Sequence, residues 1–84
     1  MGVITQYFEN VKAAVVKVQK GSLQVNDLIL IEGPQGSFRQ KVTSLQIDRQ
    51  PVPAAQVGEE VGLGVIQPVQ EGDVVYRIDY MRDR

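Results

Sequence analysis

The chain has 84 residues and a net charge of −1, from nine Lys and Arg against ten Asp and Glu. It contains no His, Cys or Trp, which excludes disulfides, thiolate nucleophiles, Cys/His zinc sites and Ser-His-Asp triads. A near-neutral chain also lacks the basic excess typical of proteins that bind nucleic acid through its phosphates. We expect a single domain over residues 1–84 that is not an enzyme and that uses neither cofactor nor metal.

The apolar composition predicts an all-β fold. There are 14 Val and 6 Ile against 5 Leu and 4 Ala, and β-branched residues favour pleated surfaces over helices. Gly, Asn or Pro separate short apolar segments, as in a β-meander or a small barrel. No apolar run approaches the roughly 20 residues that span a bilayer, and residues 1–4 lack the basic n-region and long apolar stretch of a signal peptide. We therefore expect a cytoplasmic protein with no membrane contact.

The first half of the chain predicts three strands. The first covers residues 3–8 and the second residues 11–19, where Ala14, Val16 and Val18 share one face. Residues 28–31 form a continuous apolar run, which is expected where both faces of a strand are covered. Residues 33–36, with the sequence Gly-Pro-Gln-Gly, predict a turn.

The strand after this turn changes the phase of its apolar face. Phe38 and Val42 lie on one parity, whereas Leu45 and Ile47 lie on the other. A strand cannot exchange its faces without an extra residue, so we expect a bulge or a bend near residues 43–44.

The remaining segments are shorter. Prolines should stop strand pairing over residues 49–53, and residues 54–57 predict one helical turn. The last two strands are expected over residues 61–67 and 74–79, followed by a polar tail over residues 80–84.

One short pattern occurs three times, and each time Gly or Asn precedes an acidic residue at the start of a strand: Asn26-Asp27, Gly58-Glu59 and Gly72-Asp73. Gly and Asn accept positive φ, and the acid can bond to nearby backbone N–H groups. The pattern favours a turn used three times. The alternative, a carboxylate cluster for a metal, is disfavoured because the acids open different strands.

Two groups of residues are candidates for a binding site. Arg39, Lys41 and Arg49 could form, with Gln40, Gln46 and Gln50, a weakly basic polar patch for RNA or a peptide, or an ordinary solvated face. Gly62 and Gly64 lie two residues apart on one strand face. They could line a groove for a peptide or a nucleotide end, or they could permit close internal packing.

A family resemblance adds to this interpretation. Residues 20–31, 42–46 and 55–63 resemble, in order and spacing, the "G-x-L-x-V-G-D-x-I-x-I" and "A-x-x-G-D-x-V-G-L" stretches of domain 2 of translational GTPases such as elongation factor Tu. The chain is also similar to small free-standing translation elongation factor-like proteins, which begin with a strand like residues 4–8. A P-loop is missing, which excludes GTP hydrolysis.

The resemblance implies a closed β-barrel of six or seven strands. It also implies a non-catalytic binding module whose partner is RNA, a ribosomal component or a translation factor. Gln46 stands where these factors carry a Glu that holds the terminal adenosine of aminoacyl-tRNA. The alternative is a protein–protein interaction barrel, or an accessory barrel that acts with a larger enzyme such as a peptidase.

Overall fold

The computed structural model describes residues 1–78, so the predicted tail at residues 80–84 and the last residue of the final strand, Asp79, lie outside the described part. Within it the chain forms ten strands and no helix. The strands are β1 (Gly2–Phe8), β2 (Ala13–Val18), β3 (Leu23–Gln24), β4 (Leu28–Gly33), β5 (Gly36–Lys41), β6 (Leu45–Ile47), β7 (Gln50–Val52), β8 (Ala54–Ala55), β9 (Glu60–Gly64) and β10 (Val74–Ile78). The all-β prediction is confirmed.

Eight of the strands form one antiparallel sheet in the order β5-β4-β10-β1-β2-β9-β6-β7, and β3 pairs with β8 in a separate two-stranded sheet. Because β5 and β7 end the order without pairing to each other, no sheet closes into a barrel among residues 1–78. The expected closed barrel of six or seven strands is therefore wrong in its closure and in its number of strands.

A side chain connects β5 to the end of β9 where a closed barrel would have a backbone ladder. The Gln40 amide donates through Nε2 to the Gly64 carbonyl oxygen at 2.8 Å and accepts through Oε1 from the Ile66 N–H at 3.0 Å. Gln40 thus imitates a peptide group, with one donor and one acceptor. The ladder between β4 and β5 cannot continue past the end of β5, because both backbone groups of the next residue, Val42, are already bonded to residues 26 and 27.

The inner face of the curved sheet holds the core. Ala14, Val16 and Val18 are fully buried, as their alternation on β2 predicts. The other strands contribute mainly β-branched and leucine side chains, and the largest fully buried ones are Ile4, Leu23, Ile29, Ile31, Leu45, Val16, Val18, Val42, Val61 and Val75. Burial of this kind is the main favourable contribution to folding.

The phase change after the central turn is confirmed, with a different cause from a bulge. Val42 and Leu45 are both buried, but β5 ends at Lys41 and β6 begins at Leu45, so the chain passes between two parts of the sheet. The sheet irregularity lies in β1 instead, where the register with β2 shifts between Ile4 and Gln6.

Two local predictions for residues 49–57 are wrong. Pro51 does not stop pairing: it lies opposite Gln46 in β7, an edge strand whose outer side needs no donor. Residues 54–57 do not form a helical turn, because Ala54 and Ala55 pair with β3. Tertiary pairing overrides the weak helical propensity of two alanines.

The repeated acidic pattern forms three equivalent turns, at residues 24–27, 56–59 and 70–73. In each, the third residue has positive φ, at 81°, 91° and 94° respectively. The backbone N–H of the fourth residue donates to the carbonyl of the first at 3.1, 3.0 and 3.1 Å. The carboxylate of the fourth residue accepts from the N–H of the first at 2.9, 2.7 and 3.0 Å. The turn prediction is confirmed.

Each turn also binds one buried residue through its backbone. The N–H groups of Val42, Val18 and Ile4 donate to the carbonyls of the acidic residues at 2.8, 3.0 and 2.8 Å. Their carbonyls accept from the third residue of the turn at 2.7, 2.8 and 2.8 Å. One local sequence pattern therefore occupies three equivalent positions in the fold and satisfies core backbone groups at each.

Candidate functional site

The predicted site residues fall into two groups on different strands. Arg39 and Lys41 are exposed on β5, the first strand of the sheet order. Gln46 is exposed on β6 near the other end of that order, where it lies opposite Gly62 of β9. Gln40, which the sequence places among the polar patch residues, is buried and bonds to the backbone.

Arg49 occupies a tight hairpin turn. Asp48 and Arg49 connect Ile47 to Gln50, which face each other in the ladder, and both turn residues have positive φ, at 52° and 66°. A two-residue hairpin with two positive φ values is a type I′ turn, which usually contains Asn and Gly. The side chain of Arg49 therefore projects from a hairpin tip.

Gly62 and Gly64 are not close-packing glycines. A Cβ atom at Gly62 would lie 3.7 Å from the Gln46 carbonyl oxygen, which is ordinary contact, and one at Gly64 would lie 4.0 Å from the Lys12 carbonyl oxygen. Gly33 does need its missing side chain, since a Cβ there would lie 2.7 Å from Cγ of Asp73. Internal packing is thus not the reason for glycine at positions 62 and 64.

The outer face of β5, β4 and β10 carries the most coherent surface of the described residues. Directly opposite residues in an antiparallel ladder share a face, with Cβ atoms about 4.5–5.5 Å apart. Two rows cross the three strands, each with one basic residue followed by two apolar ones: Arg39–Leu30–Tyr76 and Lys41–Leu28–Ile78. We call these six residues the outer patch.

The outer patch differs in exposure from the inner face of the same strands. Tyr76 is 42% exposed, and Leu28, Leu30 and Ile78 are half-buried. The run at residues 28–31 predicts a strand covered on both faces, and this prediction is wrong for the described structure, because only Ile29 and Ile31 are fully covered. The apolar residues of this run predict that another layer packs on the outer face of β4. Residues 1–78 do not provide such a layer.

The other large exposed apolar side chains lie outside the outer patch, and two of them, Phe8 and Val11, line one small depression. Val11, Val57 and Ile66 lie in turns or loops, and Phe8 is the last residue of β1. Tyr7, its neighbour, packs against the core, so these two adjacent aromatic residues face opposite sides of β1. Tyr80 lies outside the described residues. Isolated apolar side chains are normal on protein surfaces, whereas contiguous ones mark interaction sites.

A shallow groove of about 370 Å³ lies between the β4–β5 hairpin and the loop before β10. Pro34, Phe38 and Pro68 contribute apolar surface, and Asp73 lies at its base. The Asp73 carboxylate accepts a hydrogen bond from the Gln70 N–H within its turn, so it has a structural role. Among residues 1–78, no three acidic side chains gather as metal ligands would.

Part of this site was not anticipated from the sequence. The sequence does not show that Tyr76, Leu28, Leu30 and Ile78 share one surface, because the pairing of β4 with β10 joins residues almost 50 positions apart. The available signal was the uninterrupted apolar run at residues 28–31, which is unusual for an antiparallel sheet with one wet face.

No family model matches the chain. It is 32% identical over 75 residues to a collagenase of Porphyromonas gingivalis, covering 88% of this chain and 21% of that protein. It is 34% identical over 77 residues to an uncharacterized protease of Methanocaldococcus jannaschii, covering 90% of this chain and 19% of that protein. The chain thus spans about a fifth of the length of the curated relatives that it matches.

Two solved structures share the fold. Both are of the C-terminal domain of a Geobacillus thermoleovorans protein assigned to the U32 peptidases. One has a TM-score of 0.85 at 18% identity, covering 93% of this chain and 90% of that one. Its selenomethionine variant has a TM-score of 0.82 at 19% identity, covering 88% and 93%. The small all-β domain described here therefore has the fold of a peptidase C-terminal domain.

These comparisons overturn the resemblance to translation factors. The relatives and the structural neighbours are peptidases and collagenases, not elongation factors. The resemblance arises from the matched motifs, in which Gly or Asn and the following acid form a turn. The backbone of this turn forms hydrogen bonds with a buried residue. The same pattern occurs three times within this chain, so it reports backbone geometry and carries no information about RNA. Among residues 1–78 no helix is long and apolar enough to cross a membrane.

Proposed function

We propose that this chain is a non-catalytic accessory domain that binds to, and acts with, a larger peptidase of the U32 type. The observation that carries the proposal is the pattern of coverage: nearly all of this chain matches only about a fifth of a collagenase and of a protease. We assign catalysis in those proteins to the four-fifths that this chain does not match. The solved neighbours are themselves C-terminal domains of such a protein.

The chemistry of the chain supports a binding role. The sequence has neither His nor Cys, so it can form neither a Ser-His-Asp triad, nor a Cys-His pair, nor a zinc site with His ligands. Asp27, Glu59 and Asp73 each accept a hydrogen bond from a backbone N–H of their own turn, which gives these three carboxylates a structural role.

A segment exchange tests the proposal. The 75 matched residues of the Porphyromonas gingivalis collagenase would be replaced by this chain, and cleavage of labelled collagen would be compared with the unaltered protein. We expect the chimera to retain cleavage, and a version carrying an unrelated β-domain of similar length to lose it. This chain alone should cleave nothing.

Two results would contradict the proposal. Cleavage of collagen by this chain alone would make it an enzyme. A folded chimera that performs no better than the unrelated replacement would show that this chain does not substitute for the matched segment.

A further inference from the structure

The outer patch has the composition of an interface that is open in the isolated chain. Tyr76 is 42% exposed on the outer face of β10, directly opposite the half-buried Leu30. Tyr and Arg are enriched in protein interfaces, and tyrosine supplies contact area at low entropy cost. The water-facing side of an antiparallel sheet usually carries polar residues, so apolar residues on the outer face of β4 and β10 depart from that pattern.

The charges around the outer patch indicate which charges a partner surface should carry. Arg39 and Lys41 form its β5 edge, and each lies directly opposite an apolar residue of the patch. The next row on this face holds one acidic residue, the exposed Glu32, so the cations outnumber the acid at the patch. These two cations stand on a chain whose net charge is −1. Electrostatic complementarity across an interface therefore requires carboxylates on the partner, placed beside apolar side chains.

We infer that the outer patch is the docking surface for the peptidase portion of a U32-type protein, whose contacting surface is apolar and is bordered by carboxylates on the side of Arg39 and Lys41. The inference rests on the proposed function, since the occupant is the part of the relatives that this chain does not match. It assigns the contact to one face of three strands and leaves the opposite edge of the sheet, at β7, exposed to solvent.

Hydroxyl-radical footprinting can test the contact within the chimera described above. The oxidation rate of Tyr76 would be measured in this chain alone and in the chimera. Phe8, which is 48% exposed on another part of the molecule, serves as the internal control. Docking should lower the Tyr76 rate by about fivefold or more, because side chains at the centre of an interface lose their water. The Phe8 rate should stay constant.

Matched variants separate the patch from the rest of the surface. Tyr76→Gln with Leu30→Gln should lower collagen cleavage by the chimera, and so should Arg39→Glu with Lys41→Glu. The control variants, Val57→Gln with Ile66→Gln and Lys20→Glu, change exposed residues outside the patch and should leave cleavage unchanged. Circular dichroism of each variant chain would verify that the sheet is intact.

The outcomes distinguish the two proposals. An active chimera in which Tyr76 oxidises as fast as in the free chain would overturn the docking inference and leave the accessory function standing. An inactive chimera contradicts the accessory function itself. A concentration-dependent dimer that Tyr76→Gln abolishes would make the occupant a second copy of this chain. Binding of labelled single-stranded RNA that is lost in the same variant would make it a nucleic acid. Either result would overturn the inference.

Discussion

The two faces of β4 carry similar side chains in different surroundings. On the inner face, Ile29 and Ile31 are 0% and 1% exposed, packed among residues from most of the other strands. On the outer face, Leu28 and Leu30 are only half-buried, next to two cations and an exposed tyrosine. Hydrophobicity alone therefore does not identify a core position. A core position also needs a second layer, and the outer face lacks one among residues 1–78.

The largest expected difference in the free energy of unfolding is between a truncation on the inner face of β4 and one on its outer face. Ile29→Ala should lower the free energy of unfolding by about 2–4 kcal/mol, because it leaves a cavity in a closed core. Leu30→Ala should cost less than about 1 kcal/mol, because water already reaches that site. Urea denaturation of the isolated chain would measure both. Equal losses would mean that the outer face is covered in solution and that the contrast between the faces is wrong.

The next largest loss of stability is expected when the Gln40 side chain no longer connects β5 to the end of β9. Gln40→Leu removes the partners of the Gly64 carbonyl and the Ile66 N–H, which should cost about 1–3 kcal/mol. Gln46→Leu is the matched control, since Gln46 is exposed on the outer face, and it should change stability by less than about 0.5 kcal/mol. Both changes would be compared by their denaturation midpoints. A neutral Gln40→Leu would show that the side-chain bridge is dispensable.

Alanine substitutions at two glycines distinguish a position with no room for a Cβ atom, Gly33, from one with room for it, Gly62. Gly33→Ala would press a Cβ against the Asp73 carboxylate and should cost about 1–3 kcal/mol, as overpacking does. Gly62→Ala meets only ordinary contacts and should stay within about 0.5 kcal/mol of the parent. Thermal unfolding of the two variants would rank them. The reverse ranking would contradict the close approach of Asp73 to β4.

The smallest effect is expected at the β6–β7 hairpin. Arg49 has a φ of 66°, a conformation that costs an L-residue more than glycine, so Arg49→Gly should raise stability by about 0.5 kcal/mol. Arg39→Gly, within β5, should instead lower stability by about 0.5–1 kcal/mol, because glycine weakens a strand interior. If both substitutions destabilise the chain equally, the turn at Arg49 is not strained.

Local features of the fold were predictable from the sequence. The alternation at Ala14, Val16 and Val18 predicts one buried face of a strand, and the three Gly/Asn-acid pairs predict turns. These predictions succeed because side-chain period and positive φ are properties of a few adjacent residues. The candidate site was predictable only at Arg39 and Lys41, which the structure places at the edge of the outer patch, and their function stays a prediction.

Properties that join distant segments were decided by the tertiary structure. The closed barrel is wrong because β5 and β7 end the sheet without pairing to each other, and the Gln40 side chain connects β5 to the end of β9 instead. The helical turn at residues 54–57 failed because β3 offers those residues a partner. The outer patch exists only because β4 pairs with both β5 and β10. Side-chain period and turn chemistry act over a few residues, whereas closure, pairing and the exposure of a sheet face depend on which strands become neighbours in space.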